Sequence, residues 1–533
     1  MSRAASSLLL IGTVLAGGLV LARSADDPGA RWWAHVAFLA SDDLQGRDTG
    51  SEGHTKAADY VAGQFKAAGL APAGTAGYRQ PVQFTSRKIV EAQSSLALVR
   101  DGKVDPVALG PDAAFSMRID PAPQVDAPLA FVGYGLSIPE LKIDDFAGQD
   151  LRGKVVVYLL GSPAGVPDAL SAHAQSAAVR WAALKQAGAI GAIAVQHPAR
   201  IEPPWDRSTL GRLQPAMSLA DPALDDSAGQ QVAIGFNPAS AERLFAGSGH
   251  TFAEMVALAD TRKPLPGFAL PSVVRAKVTV EKTTITSDNV AAKLVGSDPA
   301  LRDEYVVLSA HLDHLGVGGA VGGDRIYNGA MDNASGIASL IETAAALARS
   351  PEKPKRSILF VAVTAEEKGL LGSRYFATHP TVPAKAIVAN INMDMFLPLF
   401  PMKSVMVFGL DESDLGASVR QVAASMGLGV QGDPEPLRNR FIRSDQYSFI
   451  RQGVPALALK VGYAPDSPDA ATNAAWTKER YHAPSDDLQQ PINRGAAVVF
   501  NDLLVRLTTV VANQPQRPRW NDTSFFKRFA APR

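Results

Sequence analysis

Three apolar, β-branched runs in this sequence end in residues that bind cations or move protons. Residues 305–310 (YVVLSA) lead into His311 and Asp313, residues 357–364 (SILFVAVT) into Glu366 and Glu367, and residues 386–392 (AIVANIN) toward Asp394. Between the first two, NGAMDNASG places Asp332 at the opening of a helix. A buried strand has no reason to end repeatedly in unpaired carboxylates, since each buried charge costs stability unless it is paired or bound to metal. In open α/β sheets, however, ligands gather beyond the carboxyl ends of the strands. The pattern predicts a site for divalent metal.

Each residue has a bland alternative. His311 and Asp313, two apart at a strand end, project to the same side, and an acid beside a ligating histidine usually steadies its ring. His314 is the other candidate ligand of that run; the neighbouring Asp313 favours His311. Asp332 could simply cap its helix, yet Asn333 or Ser335 can cap equally well and leave Asp332 facing the strand ends. The adjacent glutamates offer the pair a metal hydrolase needs, one carboxylate on the metal and one free to take a proton from water. Taken alone, such a pair is a solvated turn. Asp394 sits in an otherwise apolar run and requires a partner. Far along the chain, His482 in YHAPSDD supplies the ligand still missing if two metals are bound; otherwise it is a surface histidine before a proline turn.

The chain has 533 residues, enough for more than one domain. Its 52 basic and 52 acidic residues balance, which argues against a nucleic-acid partner attracted by field alone. No cysteine is present, so thiolate ligands, disulfides and a cysteine nucleophile are excluded. Metal must be held by oxygen and imidazole, a donor set suited to zinc and also to cobalt or manganese. Arg3, the apolar residues 8–21 and the small residues of Ala22-Arg23-Ser24 read as a signal peptide over 1–24, with an uncleaved anchor as the alternative. The expected location is periplasmic or secreted. No later apolar run reads as long enough to span a bilayer, so no stable membrane insertion is expected after signal removal.

The elements that must position these residues follow from periodicity. Two helices are expected within 33–68, His54 lying at the surface between them. Short alternating strands follow over 83–125. Proline clusters near 121–128 and 263–271 bracket a segment of different texture, read as an inserted domain over 125–271 without chemistry of its own. Residues 25–124 and 272–513 then form the main domain, and 514–533 an irregular surface tail. From 273 onward strands and helices alternate, which predicts an α/β fold with a mostly parallel central sheet flanked by helices on both faces. The glycine-rich 316–323 lacks a Walker lysine and reads as a rim loop.

The motifs HLDHLG, GAMDNASG, TAEEKGLLGS, NINMDM and YHAPSDD, in that order, resemble those of the M28 metallopeptidases of the zinc aminopeptidase type. SDDLQGR and RSDQYSFIRQGVPALAL are also similar, and FVGYG…DDFAG…LRGKVVV resembles the mainly β protease-associated domain that many members carry as an insertion. The resemblance implies a phosphorylase/hydrolase-like fold and two zinc ions per chain. It implies that Asp332 bridges them, with His311 and Asp394 on one and Glu367 and His482 on the other. Glu366 would be the general base, Asp313 would orient His311, and Tyr481 would donate to the oxyanion. The Asp332–Asn333 peptide would be cis. The family's SDH reads Ser444-Asp445-Gln446 here, which leaves that neighbourhood without an assigned role. The implied activity is aminopeptidase action on peptides. A carboxypeptidase, a single-zinc glutaminyl cyclase and a non-catalytic receptor-like protein are the alternatives; side-chain preference and oligomeric state are not legible.

Overall fold

The computed structural model describes residues 27–201 and 204–530. The expected signal segment at 1–24 lies outside them. Helix α1 (Pro28–Leu39) starts on Asp27, whose carboxylate accepts from the Gly29 amide at 2.9 Å, with proline at its first position. That start pairs an amide the helix leaves open and pre-sets φ. Ser51 caps α2 (Glu52–Ala67) in the same way, accepting from the His54 amide at 3.1 Å. Trp32, Val36 and Leu39 of α1 and Ala57, Val61 and Phe65 of α2 form buried stripes at helical spacing.

The main sheet uses β1 (Arg79–Ile89), β2 (Val280–Leu294), β3 (Tyr305–His311), β4 (Ser357–Val363), β5 (Ile387–Asn392), β6 (Ser404–Phe408) and β7 (Ala456–Val461). The strands lie in the order Ala216–Leu219, β1, β2, β4, β3, β5, β7, β6, Gly429–Gln431, with Ala71–Pro72 paired onto β2. Neighbours β4, β3, β5 and β7 run parallel, while β1, β2 and β6 join antiparallel. The expected mostly parallel sheet is therefore corrected to a mixed one with a parallel centre. The chain leaves through β1 and returns through the adjacent β2, and two neighbouring arms of one excursion run antiparallel. Burial patterning does not carry that direction. Both faces are covered: Val306 and Leu308 pack with Ile337 and Phe500, whereas Val307 packs with Phe376 and Phe449.

A second, eight-stranded sheet is built from residues 95–277. It takes in Ser95–Arg100, Lys103–Val107 and Ala113–Phe115, and on the far side reaches Lys277, so the boundaries expected at 125 and 271 fall inside it. The alternating texture of 83–125 is the same in either sheet, and only the pairing partner decides. One strand of this region, Ala216–Leu219, pairs instead on β1 and fastens the insertion to the main sheet.

Helix α3 (Ser335–Arg349) and helix α4 (Arg494–Asn513) pack with α1. Contrary to expectation, α4 is long and apolar enough to cross a bilayer by length and composition, but Phe500, Leu503, Leu504 and Leu507 are wholly buried in the core. The tail is irregular and largely exposed, yet it is anchored at two aromatic residues. Trp520 and Phe526 are buried against Ile450 and Tyr447, the indole donating to the Gly453 carbonyl at 2.9 Å. The glycine-rich rim is a hairpin, Gly316–Val321 with Asp324–Tyr327.

Candidate metal centre and active site

Because β3, β4 and β5 are parallel, with His311 level with Val363 and Ser309 level with Asn392, their carboxyl ends deliver His311, the Glu366–Glu367 turn and Asp394 to one edge. Asp332 joins them from the turn before α3, and His482 from the loop after the helix Pro468–Glu479. Asp332 Oδ1 is 3.2 Å from His311 Nε2, which is 3.3 Å from Asp394 Oδ1. Asp332 Oδ2 is 3.3 Å from His482 Nε2, which is 3.2 Å from Glu367 Oε2. Bonds of about 2.0–2.1 Å at tetrahedral angles set neighbouring donor atoms about 3.3 Å apart. The separations therefore fit one cation in each group, with Asp332 common to both.

His314, set aside in favour of His311, lies in this cluster too. Its Nδ1 is 2.8 Å from Glu367 Oε1 and 3.9 Å from Asp332 Oδ2. Among the described residues, both ring nitrogens and Glu367 Oε1 are buried without a hydrogen-bond partner. Buried polar atoms are nearly always partnered, and these orphans again fit a cation. Donor atoms of His311, Asp332 and Asp394, and of His314, Asp332 and Glu367, lie close enough to share an ion.

Hydrogen bonds brace the scaffold behind the cluster. The Asp332–Asn333 peptide is cis. Asp486 accepts from the Met331 and Asp332 amides at 2.9 and 3.0 Å. Asn333 Oδ1 accepts from the Gly336 amide in the first turn of α3 at 3.0 Å, and its Nδ2 donates to the Met393 carbonyl at 2.9 Å, tying the Asp332 turn to the Asp394 strand end. Gly329, at φ 62°, cannot carry a side chain, because a Cβ would meet the Asp332 carbonyl at 2.1 Å and the His314 ring at 2.5 Å. Ala365, Met395 and His482, beside or within the cluster, hold positive φ of 56°, 47° and 53°, the kind of strain that collects at functional sites.

One expected role is corrected. The Asp313 carboxylate does not face His311; His311 Nδ1 meets the Asp313 backbone carbonyl at 3.1 Å. The carboxylate instead accepts from the Glu366 and Glu367 amides at 3.0 and 3.3 Å and from the Thr49 hydroxyl at 3.1 Å. The strand ends at His311, so the period-two argument that aligned the two side chains stops applying there.

Sequence reasoning also missed three supports. Arg47 is buried and donates to the carbonyls of Leu39, Leu312, Asn328 and Gly329. His54, expected at the surface, is buried, with Nδ1 3.2 Å from the Ser287 hydroxyl. Ser444 and Gln446 each accept from Asn392 Nδ2 at 2.8 Å, two residues before Asp394, while Asp445 between them is buried with neither oxygen hydrogen-bonded. The signal for all three was a polar residue inside a motif whose partners lie far away in sequence.

The electrostatics separate the two glutamates. Burial, and then the neighbouring Glu367, push the Glu366 carboxyl well above its usual range against the pull of His311. Burial also opposes the charge of Glu367, but His482 and His314 outweigh it and hold that carboxyl well below. Burial raises Asp313 to about 6 and Asp445 to about 7. His482 is raised to about 10: burial opposes its charge and Glu367 and Asp332 prevail. A pair of carboxyls driven apart in this way is the usual mark of an acid–base assignment. The Tyr481 phenol is pushed up chiefly by burial, which keeps it a hydrogen-bond donor at neutral pH.

The insertion walls one side of this cleft. A cavity of about 290 Å³ lies between its Leu210 and Gln214 and the Tyr327, Glu367 and His482 of the main domain. Arg118 donates to the Glu367 carbonyl at 3.0 Å, and Arg207 to the Lys478 carbonyl at 2.8 Å.

Residues 289–508 match the family model described as Peptidase family M28. The chain is 29% identical over 178 residues to the leupeptin-inactivating enzyme 1 of Streptomyces exfoliatus, a match covering 33% of this chain and 36% of that protein. It is 30% identical over 184 residues to a probable leucine aminopeptidase 2 of Aspergillus fumigatus, covering 33% and 34%. The chain thus spans about a third of the length of these curated relatives. In fold it is similar to the aminopeptidase from Aneurinibacillus sp. strain AM-1, with a TM-score of 0.56 and 20% identity over 92% of this chain and 95% of that one.

Proposed function

From a chain that carries the sequence of peptidase family M28 over residues 289–508, we propose a metal-dependent hydrolase of peptide bonds, acting as an aminopeptidase. The observation that carries this reading is Asp332 standing between two histidine–carboxylate pairs at tetrahedral spacing, with Glu366 in neither pair. His311, Asp332 and Asp394 would hold one zinc ion, and Asp332, Glu367 and His482 the other. When bound, the metal pair would supply Lewis acidity, lowering the pKa of a water and polarising the scissile carbonyl.

The remaining chemistry belongs to the chain. Glu366 takes the proton of the attacking water and returns it to the leaving amine, a role suited to a carboxyl whose pKa is raised. Glu367, held anionic, stays a ligand. Tyr481, protonated, donates to the carbonyl oxygen as charge develops there. Asp313 fixes the backbone of both glutamates, so that one faces the metals and the other the substrate. The insertion, which we read as a protease-associated domain, closes one wall of the cleft. On residues 3–24 alone, we propose a periplasmic or secreted location.

Glu366→Gln should retain metal by elemental analysis and lose roughly 100- to 10,000-fold in turnover of aminoacyl anilides. Chelation should abolish wild-type turnover, and added zinc should restore it. A wild-type rate in the variant, or activity indifferent to chelators, would count against the assignment.

A further inference from the structure

Beside the metal centre lies a recess of about 90 Å³ whose lining includes Asp394 and Tyr481. Its floor is one face of the main sheet. β6 and β7 pair Met406 with Lys460 and Phe408 with Ala458, so these four side chains share that face and all line the recess. Three of them are apolar. The fourth ends in an ammonium, which is out of place on such a floor unless something brought into the recess answers it.

Nothing within the described residues does. Lys460 Nζ has no hydrogen bond and no ion pair there; it stands 6.0 Å from the Phe408 ring. Among the described residues Asp394 is the only carboxylate lining the recess, and it is paired with His311 in the metal cluster. Arg440 and Arg443 line the recess as well. Arg440 is answered by Glu435 at 2.7 Å and Asp433 at 3.8 Å, neither of which lines it. Burial, and then Arg440 and Arg443, hold the Lys460 ammonium below its usual range. The carboxylates that oppose them are Asp394 and Asp332, and both are committed to metal in the reading above.

We infer that this recess selects a substrate residue bearing a carboxylate, with Lys460 as its counter-ion. An apolar side chain seated there would strip water from the ammonium and offer no partner, a cost that falls directly on binding. A carboxylate would pair with it in a site shielded from water, where charge-assisted hydrogen bonds are strong. The recess abuts Asp394 and Tyr481, so the residue it holds flanks the scissile bond. Two sources offer the same chemistry: the side chain of an amino-terminal Asp or Glu, and the α-carboxylate of a carboxy-terminal residue. This inference rests on the peptidase reading and specifies its substrate.

The experiment uses the full chain loaded with zinc. Initial rates are measured on Glu-, Asp-, Leu- and Phe-anilides, which test the side-chain source, and on N-acetyl-Leu-Leu, which tests the α-carboxylate source. The expected result is a kcat/KM at least tenfold above that of Leu-anilide for Glu-anilide, for Asp-anilide or for the blocked dipeptide. Lys460→Met should lower the Glu-to-Leu ratio, or the blocked-dipeptide rate relative to Leu-anilide, by roughly 10- to 100-fold at unchanged metal content. The wild-type ratios stand without the variant should it fail to fold. A kcat/KM less than tenfold above that of Leu-anilide for every carboxylate substrate would overturn the assignment of the recess and leave the peptidase reading intact. No turnover of any substrate by metal-loaded protein would overturn both.

Discussion

The orientation of the Asp313 carboxylate leads to an asymmetric prediction. Asp313→Asn keeps one acceptor oxygen and replaces the other with an amino group, which must then face a backbone N–H of Glu366 or Glu367, now held at 3.0 and 3.3 Å. One charge-assisted hydrogen bond is lost and one buried donor is left unpaired, together about 3 kcal/mol. If half or more of that appears as a displaced Glu367, affinity for the metal held with His482 falls about 10- to 100-fold. The other group should be spared, because His311 is held by the Asp313 backbone carbonyl at 3.1 Å, which the substitution leaves in place. Zinc titration against a competing indicator dye gives the two affinities, and His482→Ala and Asp394→Asn identify which constant belongs to which group. Equal weakening of both constants, or weakening confined to the His311 group, would show that the carboxylate steadies His311 after all.

Arg47→Met should destabilise the protein by about 4 kcal/mol or more in urea unfolding, since it unpairs buried carbonyls of Leu39, Leu312, Asn328 and Gly329; a loss under about 1 kcal/mol would refute its bracing role. Burial lowers the His54 pKa from 6.5 to about 3, so its stabilising contribution is complete above pH 6.5 and disappears as pH falls toward 3. Between pH 7 and pH 5 the wild type should lose about 2 kcal/mol more than His54→Gln in urea midpoints; equal slopes would mean the ring is protonated without penalty in the folded state.

Much of the site was legible in the sequence because strand ends are local. An apolar run that stops at His311, at Glu366 or at Asp394 announces a residue at the carboxyl edge of a buried strand, and parallel packing brings such edges together whatever the remainder of the chain does. That Asn333 or Ser335 could cap α3 and so free Asp332 also follows from helix chemistry alone; that Asn333 accepts from the Gly336 amide does not. What only the tertiary structure decided involves partners distant along the chain. The Asp313 carboxylate turned to a backbone 53 residues away, Arg47 reached carbonyls more than 260 residues on, and the main sheet became mixed because β2 pairs with β1 across the whole insertion. Lys460 reads in sequence as one polar residue at the end of an apolar strand; its meaning depends on which strand lies opposite and what lines the recess above. Side-chain type and periodicity fix what a residue can do, whereas hydrogen-bond partners and counter-charges are fixed by proximity in space, which periodicity does not encode.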